Sequence, residues 1–258
     1  MTQMPPSQPP APLDDLTAAY APKGEKRKQR HLQRRNEMLD TAMALVLEEG
    51  IDGLTVAKLA KRLGAAVGAL YRYFPSKSDL VVALQSRSIN SYGTALQSHL
   101  EAFDGKVGAT LPKAEFLLAR SMVALSMYSI HAVQSPEHHH LIDSLLSEHR
   151  IMHSDAQLQD INRTLAPILD MFAETLAEAA AADVLQDGDH LQRVYLVWGA
   201  VHGIEHFRKG DRVEKPAPLQ TPALLKALFS TFYTAWGVES ELFDRAYAVA
   251  QQVEGHLS

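Results

Sequence analysis

Between residues 34 and 84 the apolar positions form three short helical stripes with very little chain between them. Leu39, Ala42, Met43 and Val46 make the first, which ends near Gly50. Val56, Leu59, Ala60 and Leu63 make the second, and Val67, Leu70, Tyr71 and Phe74 the third. Each set occupies i, i+3, i+4 and i+7, the spacing of one buried helix face. Thr55 stands where an N-cap belongs, although Lys58 lacks the acceptor that a capping box requires. Gly64 follows the second stripe, where a helix closing in the left-handed conformation takes glycine. So few residues separate the second and third stripes that the two helices cannot lie antiparallel and must cross steeply. That geometry is a helix-turn-helix, which offers its second helix to a DNA major groove.

From Ser78 onward the pattern stays helical. A long helix is expected from Ser78 to about Phe103, then helices near 112–133, 136–150, 155–182, 189–209, 221–236 and 239–253. Ser135-Pro136, Asp187-Gly188-Asp189 and the segment from Pro216 to Pro222 mark breaks. Pro167 is expected to kink the fourth of these helices or to mark its true start. No strand pattern or internal repeat stands out. The fold class is therefore all-α: an N-terminal three-helix DNA-binding domain (34–80) and a C-terminal helical bundle (81–258) for ligand binding and dimerisation. Residues 1–33 read as a disordered arm. It is proline-rich through Pro5, Pro6, Pro9, Pro10 and Pro12, and then basic.

Charge sharpens this division. The net charge of -5 hides 12 Lys or Arg against 8 Asp or Glu in residues 1–77, leaving 13 against 22 in the remainder. Residues 23–35 alone carry seven basic side chains and one acid, Glu25. A basic front on an acidic body suits a protein that grips nucleic acid at one end. Lys58, Lys61, Arg62, Arg72, Tyr73 and Lys77 would form the exposed face of the helix-turn-helix. Cysteine is absent, which excludes disulfides and thiolate metal sites and suits a reducing cytoplasm. No signal-peptide core stands at the N-terminus and no apolar run approaches the length of a membrane span, so a cytoplasmic protein without membrane contact is expected.

The ordered set Leu54-Thr55, Ala60 to Gly64, Gly68, Leu70, Tyr71, Tyr73, Phe74, Lys77 and Leu80 resembles the helix-turn-helix of TetR-family transcriptional regulators. The resemblance covers about residues 34–84. It departs at Ala66, where the family usually carries a small hydroxyl residue. The resemblance implies a DNA-binding transcription regulator, most often a repressor that binds a palindromic operator as a homodimer and is released by a small molecule. It also implies that Thr55, Tyr73 and Lys77 hold phosphates, and that Val67, Gly68, Tyr71 and Arg72 face bases. Of these, Arg72 has the fork geometry that pairs bidentately with guanine.

The segment Trp198-Gly-Ala-Val-His202-Gly203 resembles the Trp…His-Gly motif of one class of TetR-like C-terminal domain. Gly199 and Gly203 lie on one helix face, and helix glycines usually serve close backbone approach. With Leu225, Leu228 and Phe232 of the 221–236 helix they make a candidate two-fold dimer interface. Met122, Leu125, Tyr128, Phe172, Tyr195, Trp198 and His202 are candidates for a pocket that takes a small apolar or aromatic effector.

Twelve histidines raise the question of metal or catalysis. His149/His153 and His202/His206 are i, i+4 pairs able to share an ion, but neither has the glutamate of a zinc-protease motif. The run His138-His139-His140 cannot converge on one ion while helical. Surface or hydrogen-bonded histidines are expected, with no metal and no cofactor. A histidine-dependent enzyme, with Asp143, Glu148 or Glu205 as acid-base partners, is an alternative that lacks any nucleophile or cofactor motif. An architectural DNA-binding protein without a ligand is another.

Overall fold

A computed structural model describes residues 23–147, 154–213 and 215–254, and every regular element among them is helical. The chain divides into two compact units between Lys77 and Ser78, three residues before the expected boundary.

In the first unit, helix α1 runs Lys23–Gly53, α2 Val56–Arg62 and α3 Val67–Tyr71. Helix α1 begins well before Arg34. Residues 23–33, expected to belong to a disordered arm, are therefore helical, while residues 1–22 lie outside the described chain. Gly50 (φ 74°) breaks the regular geometry of α1, a conformation costly for any residue with a Cβ. Thr55 caps α2 by accepting the Lys58 amide at 3.2 Å. Gly64 takes φ 60°, closing α2 as the sequence requires. Ala66 at the N-cap of α3 offers no side-chain bond. Leu39, Leu54, Leu59, Leu70 and Phe74 are almost fully buried and hold the three helices together.

The second unit contains α4 (Lys77–Val107), α5 (Lys113–Gln134), α6 (Pro136–Ser147), α7 (Asp155–Ala181), α8 (His190–Glu205), α9 (Thr221–Ala235) and α10 (Ser240–Glu254). Two short 3-10 turns, Arg208–Arg212 and Ala217–Leu219, lie between α8 and α9. Helix α7 runs on through Pro167, which neither starts it nor ends it. Pro167 is exposed, so the carbonyl left without its amide partner can turn to water.

Helix α5 packs against α6, α7, α8 and α10 and forms the axis of the unit. Every residue from Ser121 to His131 is buried. By length and composition α5 is apolar enough to cross a membrane, contrary to the expectation that no run would be, and 78% of its most apolar window is buried inside the bundle. Two of its buried serines satisfy themselves locally, Ser121 Oγ donating to the Leu118 carbonyl at 2.8 Å and Ser126 Oγ to Val123 at 3.0 Å, whereas the buried Ser129 Oγ has no hydrogen-bond partner. At the rim, Arg120 joins Asp104 of α4 (2.9 Å) and Glu178 of α7 (2.8 Å).

The Ser121 hydroxyl has one proton and spends it on Leu118, so the Tyr233 hydroxyl, 2.7 Å away and fully buried, must be the donor between them. Ser121→Ala leaves that phenol without an acceptor and should cost about 1–3 kcal/mol. Tyr233→Phe strands nothing and should cost less than about 1.5 kcal/mol. Urea denaturation of both variants checks the order.

Candidate DNA-binding face and effector cavity

Helix α3 presents Val67, Gly68, Tyr71 and Arg72 to solvent. Val67 is 41% exposed and Tyr71 48%, although both sit in the apolar stripe of the helix. Only Leu70 and Phe74 of that stripe are fully buried, because a five-residue helix can turn only a narrow edge inward. Tyr73 stacks on His31 of α1, with ring centroids 4.5 Å apart and planes 15° from parallel. His31 was not singled out by sequence, since nothing local links positions so far apart. Lys77 Nζ donates to the Asp52 carbonyl at 3.3 Å, and Thr55 keeps its hydroxyl proton available.

The cations of this face divide into two groups. Arg62 grips Glu48 with both terminal nitrogens (2.5 and 2.6 Å), and Lys58 pairs with Glu49. The hydrogen bonds with Arg62 hold the Glu48 carboxyl below its usual range. Among the described residues, Lys61 and Arg72 are exposed and have no ion-pair partner. Lys58 and Arg62 lie exposed, as expected, but α1 supplies acids to both.

A second feature lies inside the second unit. Ile89 and Tyr92 of α4, Leu125 and Tyr128 of α5, Ile142 of α6, four α7 residues (Leu165, Ile168, Leu169, Phe172) and Val194, Val197 and Trp198 of α8 enclose an apolar cavity. Its free volume is about 30 Å³. The Tyr128 hydroxyl lies 2.8 Å from His202 Nδ1 and also bonds Trp198. Burial, with Asp143 and Glu205 nearby, pushes its pKa up and keeps it a neutral donor. Behind Tyr92 and Tyr128 sits His131, whose Nδ1 is buried without a hydrogen-bond partner. Burial, reinforced by His139 and His138, lowers its pKa to about 4, so it is neutral at pH 7.

Residues 38–84 match the family model described as bacterial regulatory proteins, tetR family. These residues form a TetR-type DNA-binding domain. The transcriptional repressor KstR of Rhodococcus jostii is 42% identical over 55 residues, which are 21% of this chain and 26% of that protein. The nucleoid occlusion factor SlmA of Vibrio atlanticus is 29% identical over 152 residues, 58% of this chain and 69% of that one. Among solved structures, the transcriptional regulator FadR from Bacillus subtilis in complex with stearoyl-CoA superposes with a TM-score of 0.54 at 18% identity, covering 76% of this chain and 96% of that one. By this domain the protein is a helix-turn-helix DNA-binding regulator similar to the TetR family, and its C-terminal domain is all-helical among the described residues.

Not every residue expected in the regulator's pocket reaches it. Leu125, Tyr128, Phe172 and Trp198 line the cavity. Met122 is buried in the core but does not line it, and His202 stands behind Tyr128. Tyr195 is corrected outright: it is 51% exposed, because it lies on the opposite face of α8 from Val194 and Val197. Ile89 and Tyr92 of α4, which the sequence did not single out, line the cavity as well. At the expected dimer face, Gly199 and Gly203 are exposed, and a Cβ on either would meet nothing within 4 Å. Leu225 is instead a core residue, and Leu228 and Phe232 are partly buried against the same core. The pair His149/His153 and Glu148 lie outside the described residues.

If Arg72 reads guanine, Arg72→Ala should relax preference at one base pair at a cost of about 1–3 kcal/mol. Lys77→Ala should weaken all sequences alike and lower the salt slope by about 1. Fluorescence anisotropy across a salt series, with cognate and scrambled duplexes, separates the two effects. Unchanged binding by both variants would move the reading face elsewhere.

Proposed function

We propose that this chain is a ligand-released repressor that binds a palindromic operator as a homodimer. One observation carries the reading. The apolar cavity is walled in part by Ile89 and Tyr92 of α4, and α4 continues without a break to Lys77, six residues from the end of α3. A molecule entering the cavity therefore presses on the helix that leads directly to the DNA-reading segment. The free volume of about 30 Å³ is far below the roughly 300–1,000 Å³ of pockets that hold drug-sized ligands. An effector must part the walls to enter, and that displacement is the signal. The walls suit an apolar molecule, aromatic or acyl, with the phenols of Tyr92 and Tyr128 as polar anchors. The repressor KstR and FadR with stearoyl-CoA are similar proteins whose names and contents agree with this reading.

A second link runs through Gln157. Its Oε1 accepts from Ser78 Oγ (3.1 Å), and its Nε2 donates to Asp79 (2.8 Å). The same Oε1 accepts the Ser154 amide (2.9 Å), completing the capping box of α7. Helix α7 supplies four cavity residues, so its displacement pulls on the first turn of α4 through this amide. The coupling needed is about 1–3 kcal/mol, a 5- to 150-fold change in operator affinity. Calorimetry of an effector with and without operator should show the same factor from both directions. Equal affinities would mean that molecule is no effector. An operator affinity indifferent to every cavity ligand would favour an architectural protein, closer in role to the nucleoid occlusion factor.

The dimer contact is proposed on the outer face of α8, where Leu191, Tyr195 and Leu196 are exposed beside Gly199 and Gly203. Glycine costs a helix roughly 1 kcal/mol relative to alanine. Since no atom of the described residues lies within 4 Å of a Cβ at either glycine, close approach by a second backbone supplies the reason for both. A dimer contact here should break on Gly203→Leu, read as a monomer by analytical ultracentrifugation. A dimer that survives the substitution places the interface on another face.

A further inference from the structure

Helix α8 ends in two histidines four residues apart, and His206, its C-cap, keeps helical geometry (φ -64°, ψ -23°). Both imidazoles therefore project to one side. Asp143 of α6 meets them there, with its Oδ1 3.3 Å from His202 Nδ1 and 3.9 Å from His206 Nε2. One donor atom from each of the three residues lies within 4.8 Å of the others. Around a tetrahedral zinc ion with ligands at about 2.0–2.2 Å, neighbouring donor atoms stand roughly 3.3–3.6 Å apart. The His202–Asp143 separation already matches, and the His206–Asp143 separation exceeds that range by only a few tenths of an ångström.

The hydrogen bonds around the group decide which nitrogens are bare. His206 Nδ1 lies 2.9 Å from the His202 carbonyl, which can only accept, so Nδ1 carries the proton and neutral His206 turns an unprotonated Nε2 toward Asp143. The Trp198 indole can only donate, so it gives its proton to the Tyr128 oxygen, and the phenol's own proton can go to His202 Nδ1 in the tautomer that leaves this nitrogen bare. In that tautomer this nitrogen too is an acceptor. Two imidazole lone pairs and a carboxylate oxygen thus converge, and a cation among them turns their repulsion into attraction. The carbonyl behind His206 is the kind of outer partner that orients a metal-binding histidine.

We propose that Asp143, His202 and His206 form a binding site for one divalent transition metal ion of the zinc class. Three protein ligands leave a fourth position. Asp143 and His206 line an open pocket of about 330 Å³ on that side, together with Lys209 and Arg212. Water or a small anion enters there, and the two cations favour the anion. Metal and the Tyr128 phenol compete for the same lone pair of His202. Because Tyr128 also walls the apolar cavity, occupation of one site is felt in the other.

The test is titration of the chelator-stripped full chain with zinc chloride by calorimetry, and with cobalt chloride by visible absorption. The expected result is one ion per chain and an intensified cobalt spectrum of low coordination number. His206→Ala and Asp143→Asn should each weaken zinc at least about tenfold, the lower end of what even an outer partner's loss costs. His206 is half exposed, so its variant keeps the fold, and a thermal melt verifies this. The double variant His149→Ala/His153→Ala should bind like the parent. No binding by the parent at tens of micromolar zinc, meaning a His–Asp contact only, overturns the proposal. So does binding indifferent to both His206→Ala and Asp143→Asn, or binding lost with His149 and His153.

Discussion

The second unit depends on one constraint: helix α5 has no face for water. From Ser121 to His131 every side chain is buried, so four other helices must surround it and their apolar stripes must all point at it. A helix apolar on all sides can be stable only as the centre of such a bundle. The polar groups on it follow the same logic. The Ser121 and Ser126 hydroxyls turn back to their own helix, and Tyr233 reaches in to share Ser121. The buried imidazole of His131 is held neutral because burial disfavours its charged form. The cavity is a by-product of this wrapping, opening where aromatic and branched side chains from five helices fail to fill the space beside α5.

The first unit obeys a different economy. Its core is small, and its recognition helix is so short that Val67 and Tyr71 remain outside while Leu70 and Phe74 hold it down. Its charge is arranged rather than merely positive. Glu48 and Glu49 near the end of α1 take up Arg62 and Lys58, which leaves Lys61 and Arg72 as the uncommitted cations beside the reading helix. Exposed pairs of this kind contribute little to stability. Their consequence is electrostatic: each pair leaves one fewer cation on this face free for phosphate.

Tyr128 joins two chemistries that would otherwise be separate. Its ring is part of the apolar wall, and its hydroxyl is the first link of a polar chain through His202 to Asp143 and His206. A buried hydroxyl cannot be left without partners, so any rearrangement of the cavity wall that moves it must find it new ones. A side chain placed in this way makes the cavity and the histidine cluster respond to each other without a large change of shape.

Much of this was legible in the chain itself, because the relevant physics is local. Apolar spacing, the Thr55 cap, the Gly64 turn and the proline breaks fix helices within a few residues, and they placed every long helix of the second unit near its observed position. The order of matched residues from Leu54 to Leu80 was enough to mark the DNA-binding family. Composition misled where it stood in for periodicity: the basic run 23–33 read as an arm yet continues α1, where charged side chains can line a solvent-facing helix without disturbing it. Tertiary structure alone decided which apolar residues meet empty space and which meet one another. Met122 and Leu125 share a helix and a character, but only Leu125 lines the cavity. It alone brought Glu48 to Arg62, His31 to Tyr73 and Asp143 to the histidine pair of α8. Helix periodicity is set by bonds between near neighbours in sequence, whereas these encounters are set by how separate helices rotate and slide as they pack.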